Sequence, residues 1–396
     1  SAIGKIEEEV KEHVQLLYAE GKISQADRIL EKVNYDIMQL KTINMCKGIE
    51  NYSRYFTNRE AGQHPPNLFE YFPKPYIVFV DESHISVPQI GSMYKGDAAR
   101  KDTLINYGFR LPSSKDNRPM MFEEWDKIRG NTVFVSATPG EYELEHSTNI
   151  VEQVVRPTGL LDPICTVRPT FDQLNDAIEE IKNNIKLNER VLLLTLTKKT
   201  AEHVCDYLKK NNLKAGYLHG ELDTIERIRT LYQLRMGEID VLVGINLLRE
   251  GIDVPECSLI CIFEADSEGF LRTSSALIQM IGRAARHLNG RVILYADKIT
   301  KSMEKALSET SRRRKIQEEY NEKNNLVPVS IKKPIKKSIL TLVNKEKGSK
   351  IEEIVNLKEK ERIKLVKKLE KDLKLAIKSM NFELAAKIRD QRNLII

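Results

Sequence analysis

The 396-residue sequence is 41% hydrophobic and 30% charged, which excludes a fibrous or extensively disordered chain and leaves room for two or three cores. No run approaches the roughly 18 apolar residues of a membrane span and the first residues lack a basic-then-apolar leader, so the expectation is a cytoplasmic protein without a membrane partner. The net charge of +6 is unevenly placed: residues 301–350 hold 14 Lys/Arg against 6 Asp/Glu and residues 351–396 hold 12 against 8, so residues 1–300, with 37 against 43, are mildly acidic.

Residues 5–42 place apolar side chains at helical spacing, with Gly21 and Ser24 marking a break, and predict a hairpin of two amphipathic helices over 1–45. The aromatic and proline-rich stretch that follows reads as a loop packed on its domain. Tyr52, Tyr55 and Phe56 have the flat faces that stack on bases, but little basic interleaving beyond Arg54 and Arg59, which favours packing. From Tyr76 onward short apolar runs alternate with helical stretches: YIVFV, TVFVS, VLLLTL, KAGYLH, DVLVG, LICIF and VILYA. Nearly continuous Val/Ile/Leu strands are buried on both faces, and intervening helices imply parallel crossovers, so the fold class is α/β with doubly wound parallel sheets.

The proline-bearing segment PTGLLDPICTVRPT, 157–170, reads as a linker between a partial first unit, 46–156, and a complete second one, 157–322. The five cysteines are irregularly spaced, and Cys257 and Cys261 lie in or beside an apolar strand, which points to core packing rather than a disulfide or metal site. After Ala296 one long helix is expected through Asn324, its RRRK run, Arg312–Lys315, forming a solvated face or touching phosphates. A mobile basic linker follows over 323–350, and then an antiparallel helical hairpin over 351–396.

Asp81 and Glu82 end the first buried strand, where open α/β sheets bind ligands. In a nucleotide-hydrolysing site the first acid holds Mg²⁺ and the second orients or deprotonates the attacking water. Acids after a strand can simply open a loop, so their company matters. VSATPGEYE offers the hydroxyls of Ser136 and Thr138 after a second strand, and NLLREGIDVPE offers Gly251 and Asp253 after a third. LIQMIGRAARHLNG is expected to set Gln279, Arg283 and Arg286 on a helix, the two arginines three apart on one face and suited to charge on a transferring phosphoryl group.

With these segments the sequence resembles the superfamily 2 helicases and, more narrowly, the UvrB family of excinuclease subunits. GIENYSRYF, VDESHISVPQIGSMYKGD, TLINYGFRLPSSKDNRP, VSATPGEYEL, LHGELDTIERIRTL, LVGINLLREGIDVPE, EADSEGFLRTSSALIQMIGRAARH and MNFELAAKIRD carry the resemblance along nearly the whole chain. It implies RecA-like domains, one partial and one complete, ATP with Mg²⁺ as cofactors of a full-length parent, and damaged DNA, UvrA and UvrC as partners. It implies His84 and Gln279 as a polar link between the domains. The terminal hairpin resembles the UVR domain, which implies UvrC binding or self-association through Phe382, Glu383, Ala386 and Arg389; Asn381 and Leu373 depart from the usual Asp and Met.

One family element is missing. No G-x-x-x-x-G-K-[ST] stretch occurs: Gly4-Lys5 and Gly21-Lys22 lack the earlier glycine and the strand–helix context. The chain therefore resembles the C-terminal portion of such a protein, with no tight nucleotide binding or ATPase activity expected of it alone. The alternative class is a non-catalytic interaction scaffold working through its hairpin. A generic helicase or translocase fits GIENYSR and the hairpin less well.

Overall fold

The computed structural model describes residues 1–218, 222, 224–245, 253–331, 333–334, 369–373 and 389. The chain divides into two compact units between Glu152 and Gln153.

The first unit opens on α1 (Ala2–Ala19) and α2 (Ile23–Ile43). Ser1 starts α1 by accepting the Gly4 N–H at 3.2 Å, and the helix closes in a Schellman turn: Gly21, at φ +72°, lets its N–H reach the Tyr18 carbonyl and that of Lys22 reach Leu17. Ile6, Val10, Val14 and Leu17 line one face of α1 and meet Ala26, Ile29, Val33, Ile37 and Leu40 of α2. Cys46, Tyr52 and Leu111 close that core from the loops, so the hairpin packs on the residues that follow it. The Tyr52 hydroxyl donates to buried Asp36 at 2.6 Å, and that of Tyr55 to Glu9 at 2.9 Å, which favours the packing role of these rings over base stacking.

After the short α3 (Ser53–Phe56), β1 (Ile77–Asp81) leads into α4 (Ser83–Asn106), followed by α5 (Phe122–Ile128), β2 (Asn131–Val135) and α6 (Glu141–His146). The two strands are parallel, with Asp81 opposite Val135. One face of the pair packs through Val80 onto Val87 and Trp125, with Phe122, Phe134 and Tyr142 around them.

The second unit is a six-stranded parallel sheet among the described residues, in the order β3 (Ile164–Arg168), β8 (Arg291–Tyr295), β7 (Cys257–Ile262), β4 (Arg190–Leu194), β6 (Val241–Gly244), β5 (Ala215–Leu218). Alternate residues feed two cores: Leu192, Leu194, Ile260 and Ile262 on one face, Val191, Leu193, Leu259 and Cys261 on the other. The helices α7 (Gln173–Lys186), α8 (Lys198–Lys210), α9 (Thr224–Met236), α10 (Ser274–Gly282) and α11 (Lys301–Asn324) complete the unit. Cys257 and Cys261 are fully buried in β7, and no described cluster of His, Cys, Asp or Glu has the makings of a metal site.

Two expectations are corrected. The presumed linker 157–170 contains strand β3, paired with β8; Pro163 and Pro169 bound it rather than break it, and an edge position needs hydrogen bonds on one side only. The presumed mobile linker after α11 is docked at Val329, Ser330 and Lys333. Val329 N–H donates to the Thr158 carbonyl at 3.1 Å, Ser330 Oγ accepts from Leu288 N–H at 3.1 Å, and Arg235 donates to the Lys333 carbonyl at 2.7 Å. Gln317 and Asn321 of α11 hold the other side of that clasp, bonding the Arg156 and Gly159 backbone. In the RRRK run, Arg312 and Arg313 pair with Glu309, and Arg314 reaches the Asp162 carbonyl at 2.6 Å. Of the expected terminal hairpin, residues 369–373 are helical and the rest lies mostly outside the described residues.

Candidate functional site

In the first unit, parallel pairing brings the ends of β1 and β2 to the same level, so the loops carrying DESH and SAT emerge side by side. Glu82 sits at φ +45°, turning the chain from strand to helix within one residue; the Asp81 carboxylate accepts its N–H at 3.0 Å, and Ser86 Oγ donates to the Asp81 carbonyl at 2.8 Å. A left-handed glutamate costs on the order of 1–2 kcal/mol, and these two bonds help to hold it. Both carboxylates remain exposed.

His84 shares a hydrogen bond of 2.7 Å with Ser136 Oγ and lies 3.6 Å from Glu82 Oε2, and Ser136 Oγ also accepts the Thr138 N–H at 3.0 Å. His84 thus joins the two loops of its own unit, a contact that its expected role with Gln279 did not include. Thr138 Oγ1 and Ser83 Oγ are buried with no hydrogen-bond partner among the described residues. Buried hydroxyls left unsatisfied are unusual, although Ser113 and Ser114 of the same unit share the feature.

In the second unit, Thr273 Oγ1 caps α10 by accepting the Ala276 N–H at 3.2 Å, and Gln279 lies half-buried on that helix. The expected helical placement of Arg283 and Arg286 is corrected: α10 ends at Gly282, Arg283 is its cap, and Arg286 lies in the tight turns beyond. Backbone bonds from Arg283 to Met280, Ala284 to Ile281, Ala285 to Gly282 and His287 to Ala284 span three residues each. The chain must fold back at once into β8, and Gly290 passes so close that a Cβ there would stand 2.3 Å from the Ala284 carbonyl oxygen, leaving no space for another α-turn.

That turn delivers Arg286 to Asp253, the acid after β6, in an ion pair through Oδ1. Burial, with the charge of Arg156 nearby, holds the Arg286 guanidinium below its ordinary pKa. Lys333 takes the other carboxylate oxygen, Oδ2, at 2.7 Å. Two expected residues, Asp253 and Arg286, are therefore brought together, while Lys333 was missed because nothing in its lysine-rich stretch distinguishes it from its neighbours. Arg272, just before α10, is 1% exposed, donates to the Phe263 carbonyl at 2.8 Å, and burial pushes it down to about 10. Gly251, Phe382, Glu383 and Ala386 lie outside the described residues; Arg389 is helical and exposed.

Parallel α/β sheets in both units define the class as α/β and helicase-like. The description "Helicase conserved C-terminal domain" matches residues 171–288. "UvrB third helical domain" matches 1–58, "Ultra-violet resistance protein B" 294–336, and "UvrB/uvrC motif" 363–395. The UvrABC system protein B of Caldicellulosiruptor saccharolyticus is 50% identical over 98% of the chain, and that of Bacillus licheniformis 51% identical over 98%. The chain belongs to the UvrB family, and spans about 60% of the length of these curated relatives. Among solved structures, S. cerevisiae Dbp5 bound to RNA and ADP BeF3 is similar at 18% identity over 64% of this chain and 65% of that one, with a TM-score of 0.39.

Proposed function

We propose that the chain supplies the catalytic acids and the arginine side of an ATP site in a UvrB-type protein that loads onto and verifies damaged DNA in nucleotide excision repair. UvrA and, through the terminal hairpin, UvrC are its proposed partners. The observation that carries the reading is the Asp253–Arg286 pair, formed beyond the end of β6. The strand-end acids accompany it: Asp81 would hold Mg²⁺ and Glu82 would orient or deprotonate water, with the buried Thr138 hydroxyl available to the nucleotide. ATP and Mg²⁺, when bound, supply the phosphoryl group and the charge neutralisation that its transfer needs.

A backbone cradle for the β- and γ-phosphates has no counterpart motif in this sequence. The 396-residue chain is therefore expected to show no ATP turnover, with or without DNA. Joined to the P-loop-bearing segment of a UvrB relative it is expected to hydrolyse ATP, and Glu82→Gln to abolish that activity. Turnover by the chain alone that Glu82→Gln removes overturns the need for an added cradle. A folded fusion that binds DNA and UvrC but never ATP points instead to an interaction scaffold.

A further inference from the structure

Asp253 has two cations on it, one per oxygen: Arg286 on Oδ1 and Lys333 on Oδ2. An arginine fork ordinarily takes both oxygens of a carboxylate, in two parallel bonds that give the pair its strength. Here the second oxygen is already taken, and the strap that brings Lys333 is fastened at Val329, Ser330, Ile331 and Lys333. Its backbone bonds Thr158 and the Arg286 carbonyl, its Ser330 hydroxyl accepts the Leu288 N–H, and its Lys333 carbonyl is held by Arg235, which also grips Glu256 at 2.8 Å. The ammonium thus arrives from a built contact. The same strap touches the turn that carries Arg286 at two points, residues 286 and 288.

We propose that Lys333 is a positioning residue for Arg286: by occupying Asp253 Oδ2 it prevents a closed two-oxygen Arg–Asp pair and keeps the rest of the guanidinium available to an anionic ligand such as the phosphates of a nucleotide. When Arg286 turns to that ligand, Asp253 keeps a counter-ion, so its carboxylate is not left uncompensated. Without Lys333 the guanidinium closes on both oxygens and is withdrawn from the ligand. The ligand class rests on the proposed ATP site; the arrangement of the three side chains does not.

The test separates the two. In the 396-residue chain, with folding checked by circular dichroism, the rate at which phenylglyoxal modifies Arg286 is followed by peptide mass spectrometry. Lys333→Ala is expected to slow modification about two- to five-fold, the range an added partly exposed ion-pair contact of up to ~1 kcal/mol allows, and Lys333→Arg to restore it. In an Asp253→Asn background, where no carboxylate remains for either cation, Lys333→Ala is expected to change nothing. Unchanged or faster modification in Lys333→Ala, or an equal slowing in the Asp253→Asn background, overturns the proposal. In the ATP-hydrolysing fusion Lys333→Ala is expected to lower kcat more than it raises KM. If reactivity changes as stated but no form hydrolyses ATP, the ATP reading falls and the role of Lys333 toward Arg286 stands.

Discussion

Arg118 reaches Glu124 with two guanidinium nitrogens, each at 2.8 Å, and the Met121 N–H adds a third bond to the carboxylate. The Arg118 bonds foremost pull Glu124 down from 4.5 to about 2. A carboxylate whose folded pKa is depressed contributes stability above its unfolded value and loses it as pH falls through the folded one. Glu124→Gln is therefore expected to lower the urea midpoint at pH 7 by the equivalent of about 1–2 kcal/mol, screening included, with the gap narrowing between pH 4.5 and 2. A gap independent of pH would assign the effect to packing. At the proposed ATP site, Arg286→Ala in the fusion is expected to lower kcat by about 10³-fold or more, as arginine fingers do, with a smaller change in KM. Steady-state kinetics with unchanged kcat and raised KM would make Arg286 a ground-state binder.

Between elements, close backbone approaches decide what joins what. Gly108, at φ +71°, follows α4 and lies against α2, where a Cβ would stand 2.3 Å from the Gln25 carbonyl oxygen. Backbone cannot yield as a side-chain tip does, so Gly108→Ala is expected to destabilise the first unit by about 2–4 kcal/mol, strain and lost packing together. Thermal denaturation checks this; an unchanged midpoint means that the hairpin tolerates displacement. The pair β1–β2 poses the opposite problem. Ile77, Phe79, Val133 and Val135 are between 43% and 69% exposed, on the side away from Val80. Parallel sheets are normally covered on both faces, and uncovered apolar strands are aggregation sites. Phe79→Ser is expected to reduce light scattering and binding of a hydrophobic dye by the isolated chain; equal values for both proteins would show that this face is not what associates.

Across the molecule, each unit has its own cores among the described residues. The α/β part of the first unit rests on a small cluster around Val80, Val87 and Trp125, against two cores flanking the six-stranded sheet of the second. Two unfolding transitions are expected by calorimetry, with the fluorescence of Trp125 following the earlier one; a single transition would show that the units are coupled. Residues 351–396 are too few for a core stable alone, below roughly 70–80 residues, so the UVR segment is proposed to pair with a like segment on UvrC or a second copy. Phe382→Ala is expected to weaken that association and leave the α/β units unchanged, by sedimentation and circular dichroism. A monomeric segment without affinity for its UvrC counterpart would rule it out.

The repeating patterns were legible from residues alone, because hydrophobic period is a local property: the α1–α2 hairpin, seven of the eight described strands and the long helix α11. Asp81 and Glu82 were placed at the end of β1 by the same pattern, whereas Arg286 was expected on a helix and lies in the turns after it. Strand β3 was not, because an edge strand between prolines looks like a linker until β8 supplies its partner. The end of α10 was not, because it depends on how closely Gly290 approaches Ala284. The pairing of His84 with Ser136, and of Lys333 with Asp253, was not either: the partners lie 52 and 80 residues apart, and a lysine among lysines acquires a role only when the folded chain sets one of them against a carboxylate.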